Sequence, residues 1–337
     1  MTDRGLLSSP HAHGGSSVQK MMALVCLALL PGVLAYIYFF GWGILIQLIL
    51  AVTFAIVLEY LVLKLQGRPV EIFLKDGSAI VTALLLSLCL SPMVPWWVTF
   101  SGIAFAIVIA KHVYGGLGLN PFNPAMAGYV FVILCFPAEL ANWPSLQHPG
   151  LGSYLEAIFN GDPPGLDAVS GATALQQLKS ELGLMNMVSE IRRGPLFGHF
   201  AGDGWEWIAA MYALGGVFLL FSRVIRWHLP VGVLLGMFLT SFVFNIYDSD
   251  VYASPLFHLC AGGTILGAFF IATDPVTSPS TIKGKLIFGF LVGVIAYVIR
   301  NWGAYPDGIA FAVLIANACT PFIEHYTRPG VLGEVMQ

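Results

Sequence analysis

The side chains with most capacity for chemistry are hydroxyls and carboxylates set between long apolar runs. Asp167-Ala168-Val169-Ser170-Gly171-Ala172-Thr173 lies in the one long polar stretch of the chain interior. A threonine hydroxyl among small residues is accessible but weakly nucleophilic, and unaided it does not attack a phosphate. Presented with an activated nucleotide by an outside enzyme, the same hydroxyl becomes an anchor for a phosphoester. The alternative is a plain turn followed by a helix start at Ala174-Leu175-Gln176-Gln177-Leu178. Four carboxylates fall beside or inside apolar runs: Glu59, Asp76, Asp274 and Glu324. Ionisable groups at membrane depth default to functional hypotheses, and paired carboxylates can dehydrate Na⁺ or accept a proton. Against that, Asp76 could cap a helix N-terminus, and Glu59 and Glu324 could sit at an interface. The five cysteines are scattered singly with no C-x-x-C, so no zinc or iron–sulfur ligand set is suggested within this chain.

The elements that must hold these groups are membrane helices. The chain of 337 residues is 57% hydrophobic and only 10% charged, where a soluble domain carries about a quarter. Met21–Phe40 and Gly43–Leu63 are each long enough to cross a core of about 30 Å. Ser78–Leu90 is shorter and stops at Ser91-Pro92. A further span reaches Ala110 and ends at Lys111-His112. Gly115-Gly116-Leu117-Gly118-Leu119-Asn120-Pro121-Phe122-Asn123-Pro124-Ala125 cannot continue a helix. Broken backbone at membrane depth is tolerated only where protein or a cavity satisfies it. The second half reads Trp205–Phe221, Leu229–Ile246, Phe257–Ala272, Leu286–Ile299 and Ile309–Phe322, with a break at Thr273–Pro279.

That makes about ten segments, divided equally by the polar loop. The halves echo each other: Lys75–Ile80 with Ala261–Ile265, and Asn120–Ala125 with Tyr305-Pro306-Asp307-Gly308. Two halves with an odd number of spans, placed in series, are inverted in the membrane, and such repeats put their sites near the midplane. The predicted fold is an all-α integral membrane protein of two inverted five-helix repeats with broken helices. Its expected parts are a tail at 1–20, a first membrane repeat at 21–137, a loop at 138–204, a second repeat at 205–323 and a tail at 324–337. With the N-terminus in the cytoplasm, the inner side holds eleven lysines and arginines and the outer side four, Lys179, Arg192, Arg193 and Arg300. That bias puts the loop with Thr173 outside.

The chain resembles the D subunit of the Rnf ion-translocating electron-transport complex. It is similar, more distantly, to the B subunit of the sodium-pumping NADH:quinone oxidoreductase. The resemblance runs over almost the whole chain. It is carried by Ser9-Pro10-His11, Lys111–Gly118, Asn120–Ala125, Asp167–Thr173, Ala272-Thr273-Asp274-Pro275-Val276 and Tyr305–Gly308. It implies FMN joined through its phosphate to the hydroxyl of Thr173 by a separate Mg²⁺-dependent flavin transferase. Asp167 and Ser170 would be read by that enzyme or shape the turn, and Gly171 would permit close approach. A second, non-covalent flavin, riboflavin, is also implied. Asn120 and Asn123 are its candidates, since amides can pair with the edge of a flavin ring; the alternative is that both merely cap backbone.

The reading is therefore a flavin-carrying subunit of a redox pump in a bacterial inner membrane. Electrons between ferredoxin and NAD would be coupled to Na⁺ or H⁺ movement, with Asp76, Asp274 and Glu324 as ion-path candidates. Expected partners are the other subunits of the complex, of the A, B, C, E and G types, the transferase and the bilayer, with no nucleic acid. No dinucleotide fingerprint appears, because Gly116-Leu117-Gly118 follows a membrane span rather than a strand. No complete catalytic site is expected in this chain. The rivals are a small-solute channel or transporter, which suits the inverted repeats equally well, and a non-redox membrane scaffold.

Overall fold

The computed structural model describes residues 18–144, 150–161 and 170–328. Among the described residues, six helices are long and apolar enough to cross a membrane: Val18–Phe40, Gly43–Leu65, Trp96–Val113, His228–Tyr247, Ile282–Trp302 and Ile309–Thr327. Three shorter apolar helices, Ser78–Cys89, Pro124–Cys135 and Trp205–Phe221, join them. A tenth segment is interrupted, running Pro255–Cys260 and then Thr264–Leu266 into Gly267–Ile271. The protein is an all-α membrane protein. Its outer faces carry large apolar side chains such as Leu34, Val57, Val243 and Ile246, as a lipid-facing surface requires.

Lipid tails are as apolar as leucine, so helices in a membrane associate through close packing of small residues. His228–Tyr247 and Ile282–Trp302 show this directly. Gly232 and Gly236 face Gly289 and Gly293, and a Cβ on Gly236 or Gly293 would strike the backbone of the other helix. The last two helices run further than the apolar stretches suggested, taking in Lys283, Lys285 and Glu324. Long charged side chains at helix ends reach out to the interface, so the helix does not stop where hydropathy falls.

Each half contains one short helix whose start is gripped by a buried cation from a longer helix. In the first half, Lys111 Nζ donates to Ser78 Oγ at 2.7 Å. In the second, Arg300 Nη2 donates to Thr264 Oγ1 at 2.8 Å. Ser78 follows Gly77 and Thr264 follows Gly263, and each cation sits near the C-terminus of a full span. The helix Pro124–Cys135 begins at one grip, beside Asn123, and leads to Pro137 near the other. The two grips therefore lie at opposite ends of the bundle, as an inverted repeat places them.

The loop packs against the bundle. Tyr154 donates its hydroxyl to Phe40 O. Ala174, Leu175, Leu178, Val188 and Ile191 share a small core with Ala253, Phe257 and Ala261 of the second half. Gly293→Val should lower the thermal unfolding midpoint in detergent, at an overpacking cost of about 1–3 kcal/mol. Gly152→Ala, which meets open space, should not lower it. An unchanged midpoint for Gly293→Val would contradict the close helix contact.

Candidate functional site

Thr173 is the N-cap of the helix Ala174–Gly183. Its Oγ1 accepts from Gln176 N at 3.2 Å, and Gln176 Oε1 accepts from Thr173 N at 2.8 Å. This reciprocal box fixes the side chain. The helix start anticipated at Ala174 is therefore present, and it orients the threonine rather than competing with a chemical role. Ser170 and Gly171 pair antiparallel with Pro144 and Trp143, which holds the approach to the threonine against the end of the first half. Asp167 lies outside the described residues, as does the side chain of Ser170.

The same helix is pinned to the second half by Lys179. Its Nζ donates to Arg300 O at 3.0 Å, Gly303 O at 2.5 Å and Tyr305 O at 2.9 Å, with Ile299 O at 3.5 Å. An ammonium there meets the open carbonyls at the end of Ile282–Trp302 and the negative end of its dipole. Burial pushes the Lys179 ammonium below the usual lysine value, and these acceptors oppose that push.

Thr173 opens onto a cavity of about 430 Å³ between the halves. Tyr36, Leu88, Cys89, Met126, Tyr129 and Ile133 line one side, and Tyr212, Ile265, Leu266, Ile309 and Ala310 the other. At its rim Asp307 Oδ2 accepts from Gly263 N at 2.6 Å, and Asp307 Oδ1 accepts from Arg300 Nε at 3.2 Å. Gly262 adopts φ +60°, and a Cβ on it would strike Asp307 and Leu175. Arg300 also donates to His258 O at 2.7 Å and Ala261 O at 3.1 Å. One Arg–Asp pair thus satisfies both sides of the helix break.

At the other end lies a smaller cavity, about 160 Å³, lined by Ser78, Lys111, Asn120, Asn123 and Asp274. Lys111 and Glu59 are almost wholly buried and 2.6 Å apart, with His112 Nε2 3.4 Å from the same carboxylate oxygen. Asp76 Oδ1 accepts from Ser78 N at 2.7 Å and Ser78 Oγ at 2.6 Å. Asp76, Ser78, Lys111, Glu59 and His112 therefore form one connected polar chain. Asp274 accepts from Val276 N at 3.1 Å and Thr277 Oγ1 at 3.2 Å.

Similarity to known proteins bears on this arrangement. Residues 6–333 match the NQR2, RnfD, RnfE family. A protein of Aliivibrio salmonicida is 47% identical, covering 97% of this chain and 98% of its own length. One of Vibrio vulnificus is also 47% identical, and one of Escherichia fergusonii 45%, each over 97% of this chain. All three are named as the D subunit of an ion-translocating oxidoreductase complex. The chain belongs to the NQR2, RnfD, RnfE family.

Within this family member, the expected site residues fall into separate places. Thr173 lines the large cavity, and Gly171, two residues before it, is paired with Trp143. Asn120 and Asn123 share the small cavity with Asp274. Asn123 is largely committed to structure: its Oδ1 accepts from Met126 N, its Nδ2 donates to Ile271 O, and its N–H donates to Asn317 Oδ1. It staples the two halves. Asn120 donates to Phe122 O, while its Oδ1 is buried without a partner among the described residues. Glu324 is apart from both cavities, accepting from Ser280 N and Oγ at 2.8 Å. Charge counting treats Lys111 and Arg300 as markers facing water; both are buried, at 2% and 4% exposure. The signal that could have found them is their place at the ends of apolar spans, with Ser78 and Thr264 at matching positions in the two halves.

Removing one partner of a buried ion pair strands the other charge. Glu59→Ala should cost about 3–5 kcal/mol, and the double change with Lys111→Ala should recover part of it, read by unfolding in detergent. Equal stability of Glu59→Ala and the parent would contradict the pair.

Proposed function

We propose that this protein is the D-type subunit of an ion-translocating oxidoreductase complex, and that it carries FMN covalently on Thr173. The observation that carries the proposal is the placement of Thr173 Oγ1 at a helix N-terminus and at the mouth of a cavity between the halves. The N-terminal end of a helix favours an anion, which suits a phosphodiester-linked group at that oxygen. The cavity volume lies within the range of about 300–1,000 Å³ typical of cofactor pockets. In the attachment step, a bond forms from Thr173 Oγ1 to the flavin's phosphorus, and the phosphoanhydride of an activated flavin dinucleotide breaks. The second nucleotide leaves and the hydroxyl proton passes to solvent. A separate transferase must supply that activation, since no base stands by the hydroxyl among the described residues.

When bound, the flavin supplies one- and two-electron chemistry. The chain's own task is to hold it. The capping box fixes the anchoring oxygen, Lys179 locks that helix to the second half, and Trp143 and Tyr305 flank the cavity. Other subunits of the complex would supply the remaining electron carriers. The orientation that fits is the Thr173 end outside a bacterial inner membrane. Asp274 and the Asp76–Lys111–Glu59 chain around the small cavity are the groups placed to interact with a moving Na⁺ or proton; Glu324 stands outside that set. A non-covalent riboflavin would be held at the small cavity, where Asn120 Oδ1 is left without a partner among the described residues while Asn123 is largely committed to structure. A solute channel has less support, because the relatives are named as subunits of ion-translocating oxidoreductase complexes.

Thr173→Ala should give a folded, membrane-inserted subunit whose band on a denaturing gel no longer fluoresces under ultraviolet light. A mass increment of flavin persisting on the mutant chain would refute the anchor. Asp274→Asn and Asp76→Asn should slow ion transport by the complex while the fluorescent band stays; unchanged transport in both variants would remove these acids from the path.

A further inference from the structure

The helix Leu151–Asn160 of the loop carries apolar side chains over more of its surface than its packing uses. Tyr154, Ala157 and Ile158 are buried with Met93, and Ile46 and Leu50 of Gly43–Leu65 pack against them. Leu151, Leu155 and Phe159 recur one helical turn apart and form a neighbouring stripe. They remain 52%, 41% and 50% exposed. Gly152, Ser153, Glu156 and Asn160 fill the rest of the circumference. A helix lying on a protein in water sets polar residues opposite its buried face. Here the apolar arc is wider than the protein contact, and the polar arc is narrow.

The helix also sits at membrane depth. Ser78–Cys89 has 12 residues, about 18 Å of a core of about 30 Å. The turn that follows it, residues 90–95, is buried throughout. Gln47 Nε2 donates to Val94 O, so this turn lies level with the second turn of the span that starts at Gly43. Leu50 is deeper still, about 10 Å from that start. Ile46, Ile49 and Leu50 fall on the face of the span away from Ile44, Leu48 and Ala51, which are buried in the bundle. That face meets lipid, and Ile49 is exposed on it. Leu151–Asn160 therefore covers the recessed turn from the lipid side. Its Tyr154 is closed against Gly43 and donates to Phe40 O.

We infer that Leu151–Asn160 is an interfacial helix that buries Leu151, Leu155 and Phe159 in the bilayer leaflet at the Thr173 end and turns Glu156 to water. The occupant of the exposed stripe is lipid. The stripe carries no charge, it is continuous with the lipid-facing side of Gly43–Leu65, and it lies at the depth of about 5–10 Å that such helices reach. Trp143–Pro144 and Ser170–Gly171 pair with each other where this excursion of the loop leaves and returns. Docking its middle on the bilayer holds Thr173 at a fixed height beside the membrane. This placement follows from the membrane fold and stands whether or not a flavin is attached.

The test uses the assembled complex in vesicles of phosphatidylethanolamine and phosphatidylglycerol. Benzoylphenylalanine in place of Leu155 or Phe159 should, on illumination, add the mass of one phospholipid to this subunit. In place of Glu156 it should add little, and in place of Ile49 it gives the lipid-facing control. Crosslinks from Leu155 and Phe159 positions to another subunit would overturn the inference. So would no lipid adduct there while the Ile49 position gives one, or equal adducts at Leu155, Glu156 and Phe159 positions. A second measurement needs no photochemistry. Leu155→Asp combined with Phe159→Asp leaves the buried face intact and should speed amide hydrogen exchange over Leu151–Asn160 by roughly tenfold in vesicles. Glu156→Gln should not. Unchanged exchange in the double variant would overturn the interfacial placement as well.

Discussion

Interrupted backbone inside a membrane has to find its hydrogen bonds within the protein, and this constraint shapes the rest of the molecule. The second-half break is closed by Arg300, which reaches the carbonyls of His258 and Ala261 and the hydroxyl of Thr264. Asp307 neutralises it and takes the free N–H of Gly263. The first-half break is closed by Lys111 on Ser78, with Glu59 and Asp76 as the balancing acids. Neither cation could be buried alone, since an isolated charge in a medium of low dielectric costs several kcal/mol at least. The acids are thus required by the cations, and the cations by the broken helices.

That dependence has a consequence for function. Short helices meeting between two halves leave space, and the space is bounded by both repeats. The large cavity collects residues from Val18–Phe40 to Ala310, so a group held there touches both halves. The small cavity does the same at the opposite end, between Met21 and Val276. On the proposed function, an electron carrier at one interface and the charged groups at the other would be connected through the same packed helices. That is a physical basis on which redox state and ion occupancy could bias a common arrangement, with Pro124–Cys135 linking the two ends.

Much of this architecture is legible in the residues alone. Ten segments, the short helices and the break at Asn120–Ala125 follow from hydropathy and from Gly and Pro, because membrane backbone admits so few alternatives. Thr173 at a helix start follows from Ser-Gly-Ala-Thr before a run of helix formers. Pairings across long sequence separation do not follow. Lys111 reads as a topology marker, because a lysine closing an apolar run is usually at the water interface. Its partner Glu59 is 52 positions away, and nothing local announces the pair. Asn123 is visible as a cap, while its role as a staple to Asn317 depends on how the halves meet.

A density map of the native complex would decide the central claim most directly. Density continuous with Thr173 Oγ1 should enter the space between the halves as a flat three-ring system. A bare Thr173 hydroxyl, with that space filled by lipid or by collapsed side chains, would contradict it.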